Sequence, residues 1–103
     1  MTRLPDQPVF DAIADPTRRA ILAMLSERPA AVEGIAARFP ISRPAVSKHL
    51  RILLEADLVR REPRGRENVY RIEPAPLAQV RHWLDGLWRE RLILLKRISE
   101  RDS

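Results

Sequence analysis

Nine prolines in 103 residues divide this chain into short segments, and their positions dictate where helices can begin and end. Proline lacks an amide hydrogen and clashes with the turn before it. It is accepted at the first turn of a helix and excluded from the interior. Asp15-Pro16 therefore reads as a helix start capped by Asp15, and Pro29 closes that segment. Pro40 closes the next, and Ser42 followed by Pro44 opens another. Pro74 and Pro76 break the chain before a long C-terminal segment.

Within these limits the apolar spacing predicts the elements. Val9, Phe10, Ile13 and Ala14 mark a short first helix, and Ala20, Ile21, Met24 and Leu25 the stripe of a second. Val32, Ile35, Ala36 and Phe39 predict a third, whose start offers only Ala30-Ala31 and no capping side chain. Ser42 caps a fourth running to about Ala56, roughly 22 Å long. Val59 to Pro63 and Asn68 to Ile72 predict two strands, with Gly65 supplying the turn. Leu77 to Arg101 reads as one long helix. The fold class is mainly helical with one small β-hairpin. The length fits a single domain over 1–103.

The absence of cysteine removes disulfides, thiolate nucleophiles and thiolate metal sites together. No uncharged apolar run approaches the ~18 residues of a membrane helix. Charged residues throughout the first twenty positions fit no secretory signal. A cytoplasmic chain without a membrane partner is expected.

Charge is localised. Residues 38–71 hold nine bases and four acids, an excess equal to the net charge of +5 of the whole chain. A basic segment in an otherwise neutral host predicts a surface for a polyanion. Phased as a helix, residues 42–56 put Val46, Leu50, Leu53 and Ile52 on one side with Ala45 and Ala56. Pro44, Ser47, Lys48, Arg51 and Glu55 fall on the other, and His49 phases toward the apolar side. Two short helices about a tight turn, the second with an exposed basic face, form a helix-turn-helix. Ala36 suits the close approach of the helices, Pro40 the turn, and Val46 the plug into the core. The hairpin that follows is a wing.

Phe10, then Ala14-Asp15-Pro16-Thr17-Arg18-Arg19 with Ile21-Leu22 and Leu25, resembles the opening of ArsR/SmtB-type winged-helix repressors. Ile41-Ser42-Arg43-Pro44-Ala45-Val46-Ser47-Lys48-His49-Leu50-Arg51 resembles their recognition helix. Glu55-Ala56-Asp57-Leu58-Val59 resembles its exit, with Asp57 where the family usually has Gly. Asp adopts the left-handed conformation less readily than Gly, so strain is expected there. Gly65-Arg66 and Tyr70 match the wing, and the likeness covers about residues 9 to 95. The ending His82-Trp83-Leu84 through Leu87-Trp88-Arg89-Glu90-Arg91-Leu92 is similar to the cysteine-free branch, which lacks recognised metal sites.

The resemblance implies a homodimeric repressor of operator DNA, with residues 16–73 as helix-turn-helix and wing and residues 1–15 and 74–103 as dimerisation helices. Val9, Phe10 and Ile13 would contribute from the first helix. The last helix supports this independently. Its apolar residues, including Leu84, Leu87, Trp88, Leu92 and Leu95, span about half the circumference, where a single core contact needs a stripe of ~100°. Arg91 falls inside that arc, which predicts an ion pair, across the dimer or within an anion site. On double-stranded DNA, Arg43, Ser47, Lys48 and Arg51 are the candidates for bases, alongside Pro44 on the same face. Ser42 at the helix N-terminus is the candidate for a phosphate. Arg61, Arg64 and Arg66 of the wing are candidates for the backbone or minor groove.

No catalytic set, metal site or cofactor site is predicted. Ser47 and His49 lie two apart on a helix and do not face each other. His82 near Asp85 has no second His beside it. Nothing in the sequence names an effector. The rival readings are a protein- or ligand-sensing association module without DNA readout, and a metal-gated repressor.

Overall fold

The computed structural model describes residues 6–101, so the expected domain limits at residues 1–5 and 102–103 lie outside it. The elements run α1 (Gln7–Ile13), α2 (Pro16–Glu27), β1 (Ala30–Ala31), α3 (Val32–Ala36), α4 (Arg43–Glu55), β2 (Val59–Arg64), β3 (Glu67–Ile72) and α5 (Pro74–Arg101).

The helix ends follow from their capping chemistry. The Asp15 carboxylate accepts the Arg18 backbone N–H at 2.9 Å and Pro16 takes the first helical position of α2. Ile21, Leu22 and Leu25 form the buried stripe of α2, whereas Ala20 from the expected stripe is exposed. Helix α3 stops at Ala36 instead of reaching Phe39. Arg38 N–H donates to the Ile35 carbonyl at 3.0 Å and Phe39 N–H to that of Ala36 at 3.4 Å. These i to i+3 bonds tighten the chain into the turn. Helix α4 opens on Ser42, whose hydroxyl accepts the Ala45 N–H at 3.2 Å.

The exit of α4 is a Schellman motif. Leu58 N–H donates to the Leu53 carbonyl and Asp57 N–H to that of Leu54, both at 3.0 Å. Leu53 and Leu58, both fully buried, supply the apolar contact that accompanies it. The motif requires a left-handed residue, and Asp57 takes it with φ of 58°. Its carboxylate-bearing Cβ accepts a conformation that a glycine takes freely.

The sheet has three strands rather than two, in the order β1-β3-β2, all antiparallel. Ala30 pairs with Tyr70 and Ala31 with Val69. A two-residue strand has no alternation to reveal it, which is why Ala30-Ala31 read only as a poor cap. It fastens the hairpin to the helical body. Arg64 and Glu67 close the hairpin, and Gly65 supplies the positive φ, 59°, in the two-residue loop. Positive φ confined to the first loop residue is the pattern of a type II′ turn.

Pro74 and Pro76 begin α5 instead of breaking the chain ahead of it. The first-turn amides of a helix have no intrahelical partner, so prolines there remove nothing. One core gathers the inward faces, with Ile21, Ile35, Val46, Leu50, Leu53 and Leu58 its largest fully buried side chains. Helix α5 joins that core only near its start, through Leu77 and Val80, with Trp83 half-buried one turn on. Its 28 residues extend for about 42 Å. The radius of gyration is accordingly 18.2 Å, against about 13 Å for a compact chain of this length. No helix among the described residues is long and apolar enough to cross a membrane.

Candidate nucleic-acid interface

Helix α4 divides its surface cleanly. Val46, Leu50 and Leu53 are buried, while Arg43, Pro44, Ser47, Lys48 and Arg51 are exposed on the opposite side, next to the exposed cap Ser42. Lys48 and Arg51 have no ion-pair partner among the described residues, and Arg43 pairs with Glu33 of α3 at 3.1 Å on an open surface. Such exposed pairs contribute little and exchange readily. Arg43 and Arg66 flank one depression of about 360 Å³ together with Glu33, Glu67 and Asn68, which brings the wing tip and the start of α4 to a common cleft.

The register of the hairpin sorts its five arginines. Arg60 pairs across the strands with Arg71, and two acids relieve the repulsion. Arg60 Nε lies 3.2 Å from Glu73, and Arg71 Nε lies 3.4 Å from Glu62. Arg61 shares the other face with Val59 and Tyr70, and Arg64 and Arg66 stand at the tip. These three are exposed and carry no ion pair with any described residue. The wing therefore holds two cations paired with nearby acids and three without an ion pair among the described residues.

Behind α4 lies a cluster whose roles sequence reasoning missed. Arg18 Nε donates to the Ala12 carbonyl at 2.8 Å and Nη2 to that of Asp11 at 3.1 Å. Arg19 Nη1 donates to the Ile13 carbonyl at 2.7 Å and to that of Ala14 at 3.1 Å. Two guanidiniums thus close the C-terminus of α1, where the orphan carbonyls and the helix dipole favour positive charge. His49, on the edge of α4, places Nδ1 3.3 Å from Arg18 Nη1 and 3.9 Å from Asp15. The shorter contact makes Nδ1 an acceptor from Arg18, and the longer one is beyond hydrogen-bond reach. The Arg18 backbone N–H holds the Asp15 carboxyl below its ordinary value against partial desolvation, assisted by the Arg18 charge. The motif Ala14 to Arg19 signalled the cluster, but only the fold shows that it meets His49.

The residues expected at a dimer contact divide into two sets. Val9 is 5% exposed and packs in the chain's own core, which corrects its assignment, because α1 turns Val9 and Ala12 inward. Phe10 stacks edge-on against Trp83, with centroids 5.3 Å apart, and joins α1 to α5. Ile13 remains half-buried. Leu84, Leu87, Trp88, Leu92 and Leu95 are all exposed, Trp88 by 64%. Leu84, Leu87, Trp88 and Arg91 border an open groove of about 620 Å³ with Leu94. Arg91 is exposed and takes no ion pair with a described residue. No group of three or more His, Asp or Glu residues gathers among the described residues.

Residues 13–62 match a helix-turn-helix domain family. The chain is 46% identical over 90 residues to the HTH-type transcriptional regulator Rv2034 of Mycobacterium tuberculosis, covering 87% of this chain and 83% of that protein. It is 37% identical over 76 residues to the transcriptional repressor SdpR of Bacillus subtilis, covering 74% and 84%. Among solved structures, the ArsR-like transcriptional regulator from Rhodococcus sp. RHA1 superposes with a TM-score of 0.77 at 36% identity, over 90% of this chain and 88% of that one. The homodimeric winged helix-turn-helix DNA-binding domain Mb0332 from Mycobacterium bovis superposes with a TM-score of 0.65 at 28% identity, over 82% and 79%. Relatives of this closeness over most of both chains, in the same three-dimensional form, are transcriptional regulators and not enzymes: the chain belongs to the cysteine-free members of the ArsR/SmtB family of winged helix-turn-helix regulators.

Proposed function

We propose that the protein is a homodimeric transcriptional repressor that reads an imperfect palindrome in double-stranded DNA. One observation carries the reading: Lys48, Arg51, Arg61, Arg64 and Arg66 are exposed on α4 and the wing without an ion-pair partner among the described residues. In this reading α4 enters the major groove. Arg43, Ser47, Lys48 and Arg51 meet base edges beside Pro44, and Ser42 and the helix N-terminus take a phosphate. Arg61, Arg64 and Arg66 follow the backbone. Residues 16–73 form the reading head, and α1 and α5 flank it as the pairing layer. The homodimeric Mb0332 domain supports a second copy, and the name of SdpR supports repression. A DNA-reading role fits the cytoplasmic location expected from the sequence.

The second copy has a physical motive in this chain. From Leu84 onward α5 is exposed all round, and Leu84, Leu87, Trp88, Leu92, Leu95 and Ile98 lie on one broad apolar side. A partner's helix laid along it removes that surface from water. Phe10 and Ile13 lie beside it, and Arg91 finds its counter-charge across the interface. The two recognition helices then stand about one DNA turn apart, ~34 Å.

Selection of binding sites from a random DNA pool at fixed physiological salt tests the proposal. An enriched inverted repeat supports it, and retention without any enriched motif overturns sequence-specific readout. The apolar groove of α5 motivates a rival, an association module that ignores DNA. That rival requires early elution from heparin and no retention of DNA.

A further inference from the structure

Helix α1 has seven residues, too few to hold itself in water. Its carboxyl end is closed by Arg18, and Arg18 does more than close it. The three guanidinium nitrogens go to different places: Nε to Ala12, Nη2 to Asp11, and Nη1 to the His49 ring on α4. Its backbone N–H is held by Asp15 at the start of α2. One planar side chain on α2 therefore meets two other helices, α1 and α4. The fork is rigid, so fixing two arms on α1 fixes the direction of the third. The contact is sheltered, with the His49 side chain only 20% exposed. Arg19 is a built-in control, since it caps the same end of α1 through Ile13 and Ala14 but has no hydrogen bond to α4 among the described residues.

Helix α1 is also joined to α5 by the Phe10–Trp83 contact. Arg18 thus connects the α1–α5 layer to the helix whose far side carries Ser47, Lys48 and Arg51. We propose that Arg18 is a positioning residue that acts through His49 to fix the tilt of α4 relative to α1, and so sets which half-site spacing the protein accepts. The tilt is a property of one chain; only its consequence for spacing rests on the DNA-reading proposal.

The chain has no cysteine, so a pair introduced by Gln7→Cys and Ser47→Cys takes spin labels on α1 and α4 alone. Diluted into unlabelled protein, the pair reports the distance within one chain. The expected result is one narrow distance in the parent and in Arg19→Met, and a broader distribution in Arg18→Met and in His49→Leu. On DNA, the unlabelled parent should prefer its selected operator over one with a base pair inserted between half-sites by roughly tenfold. Arg18→Met should reduce that preference severalfold while leaving affinity for random DNA unchanged.

An unchanged width in Arg18→Met overturns the proposal, as does equal broadening in Arg19→Met, which would make Arg18 a helix cap and nothing more. A broadened distance with an intact spacing preference overturns the link to DNA. Should Arg18→Met fail to fold, His49→Leu decides, because it removes only the α4 arm. Should the parent select no operator, the DNA-reading proposal fails and the distance measurement still decides the role of Arg18.

Discussion

Helices α4 and α5 are both two-sided, and they leave opposite sides open. In α4 the middle of the apolar side, Val46, Leu50 and Leu53, is buried and the charged side is exposed. In α5 beyond Trp83 the apolar side itself is exposed, with Arg91 inside it, and the remainder is mostly charged apart from Ile93. Amphipathicity alone therefore does not say what a helix does. The informative quantity is which side the rest of the chain leaves uncovered. Unpaired cations left open on α4 and the wing suit a polyanion, whereas leucines and a tryptophan left open on α5 suit another protein surface.

The largest expected effect comes from α5. Leu87→Asp combined with Leu95→Asp should convert the protein to a monomer in sedimentation. Operator affinity should fall by about 10²-fold or more, because two linked heads bind with an effective concentration that one head lacks. Both residues are exposed in the single chain, so its helical content should persist. A monomer that keeps operator affinity would break the division of labour between the two helices.

Substitutions on α4 and the wing sharpen the comparison. Arg51→Ala should cost about 1–3 kcal/mol per half-site on the operator and relax preference at one base position. Arg64→Ala should weaken operator and random DNA alike and lower the salt slope by about 2 for the dimer, one charge per protomer. Titration of both variants on both DNAs at several salt concentrations separates base contacts from phosphate contacts. Equal losses for Arg51→Ala on operator and random DNA would contradict its role as a base reader.

Smaller effects belong to the ends of α4 and α2. Ser42→Ala removes the cap on the Ala45 amide and should destabilise the fold by about 1 kcal/mol in urea unfolding. Asp57→Gly relieves the left-handed residue of the Schellman motif and should stabilise it by roughly 0.5–1 kcal/mol. For Asp15 the sign follows from its lowered folded pKa. Its contribution is present above the unfolded value of about 4 and is lost as pH falls through the folded one. Asp15→Asn keeps the cap and should flatten the acid limb of thermal stability against pH.

Much of this was legible in the sequence because it is written at short range. The Asp15 and Ser42 caps, the Val46–Leu50–Leu53 stripe, Gly65 in its turn and the strain at Asp57 each depend on neighbours a few residues away. Ala30-Ala31 as a strand was not legible, since its partners Tyr70 and Val69 lie about forty residues on and alanine signals no strand. The reach of Phe39 failed because the turn competes with α3 through bonds that hydrophobic spacing does not register. Pro74 and Pro76 were read as breakers, although a proline breaks a helix only where an amide is needed. Val9 was misassigned because helical spacing gives a face but not its neighbour. At the candidate interface, the sequence singled out Arg61, Arg64 and Arg66 of the wing, and what it did not show is that the strand register sets Arg60 opposite Arg71 and pairs them with Glu73 and Glu62.

The closure of α1 has a consequence for the order in which a growing chain acquires its shape. Helix α1 leaves the ribosome ahead of the residues that hold it: its C-terminus is capped by Arg18 and Arg19 of α2, and Phe10 rests on Trp83 of α5. Helix α1 therefore completes its contacts only after α5 has begun to emerge. A nascent chain stalled before Trp83 holds α4 without the contact that joins α1 to α5.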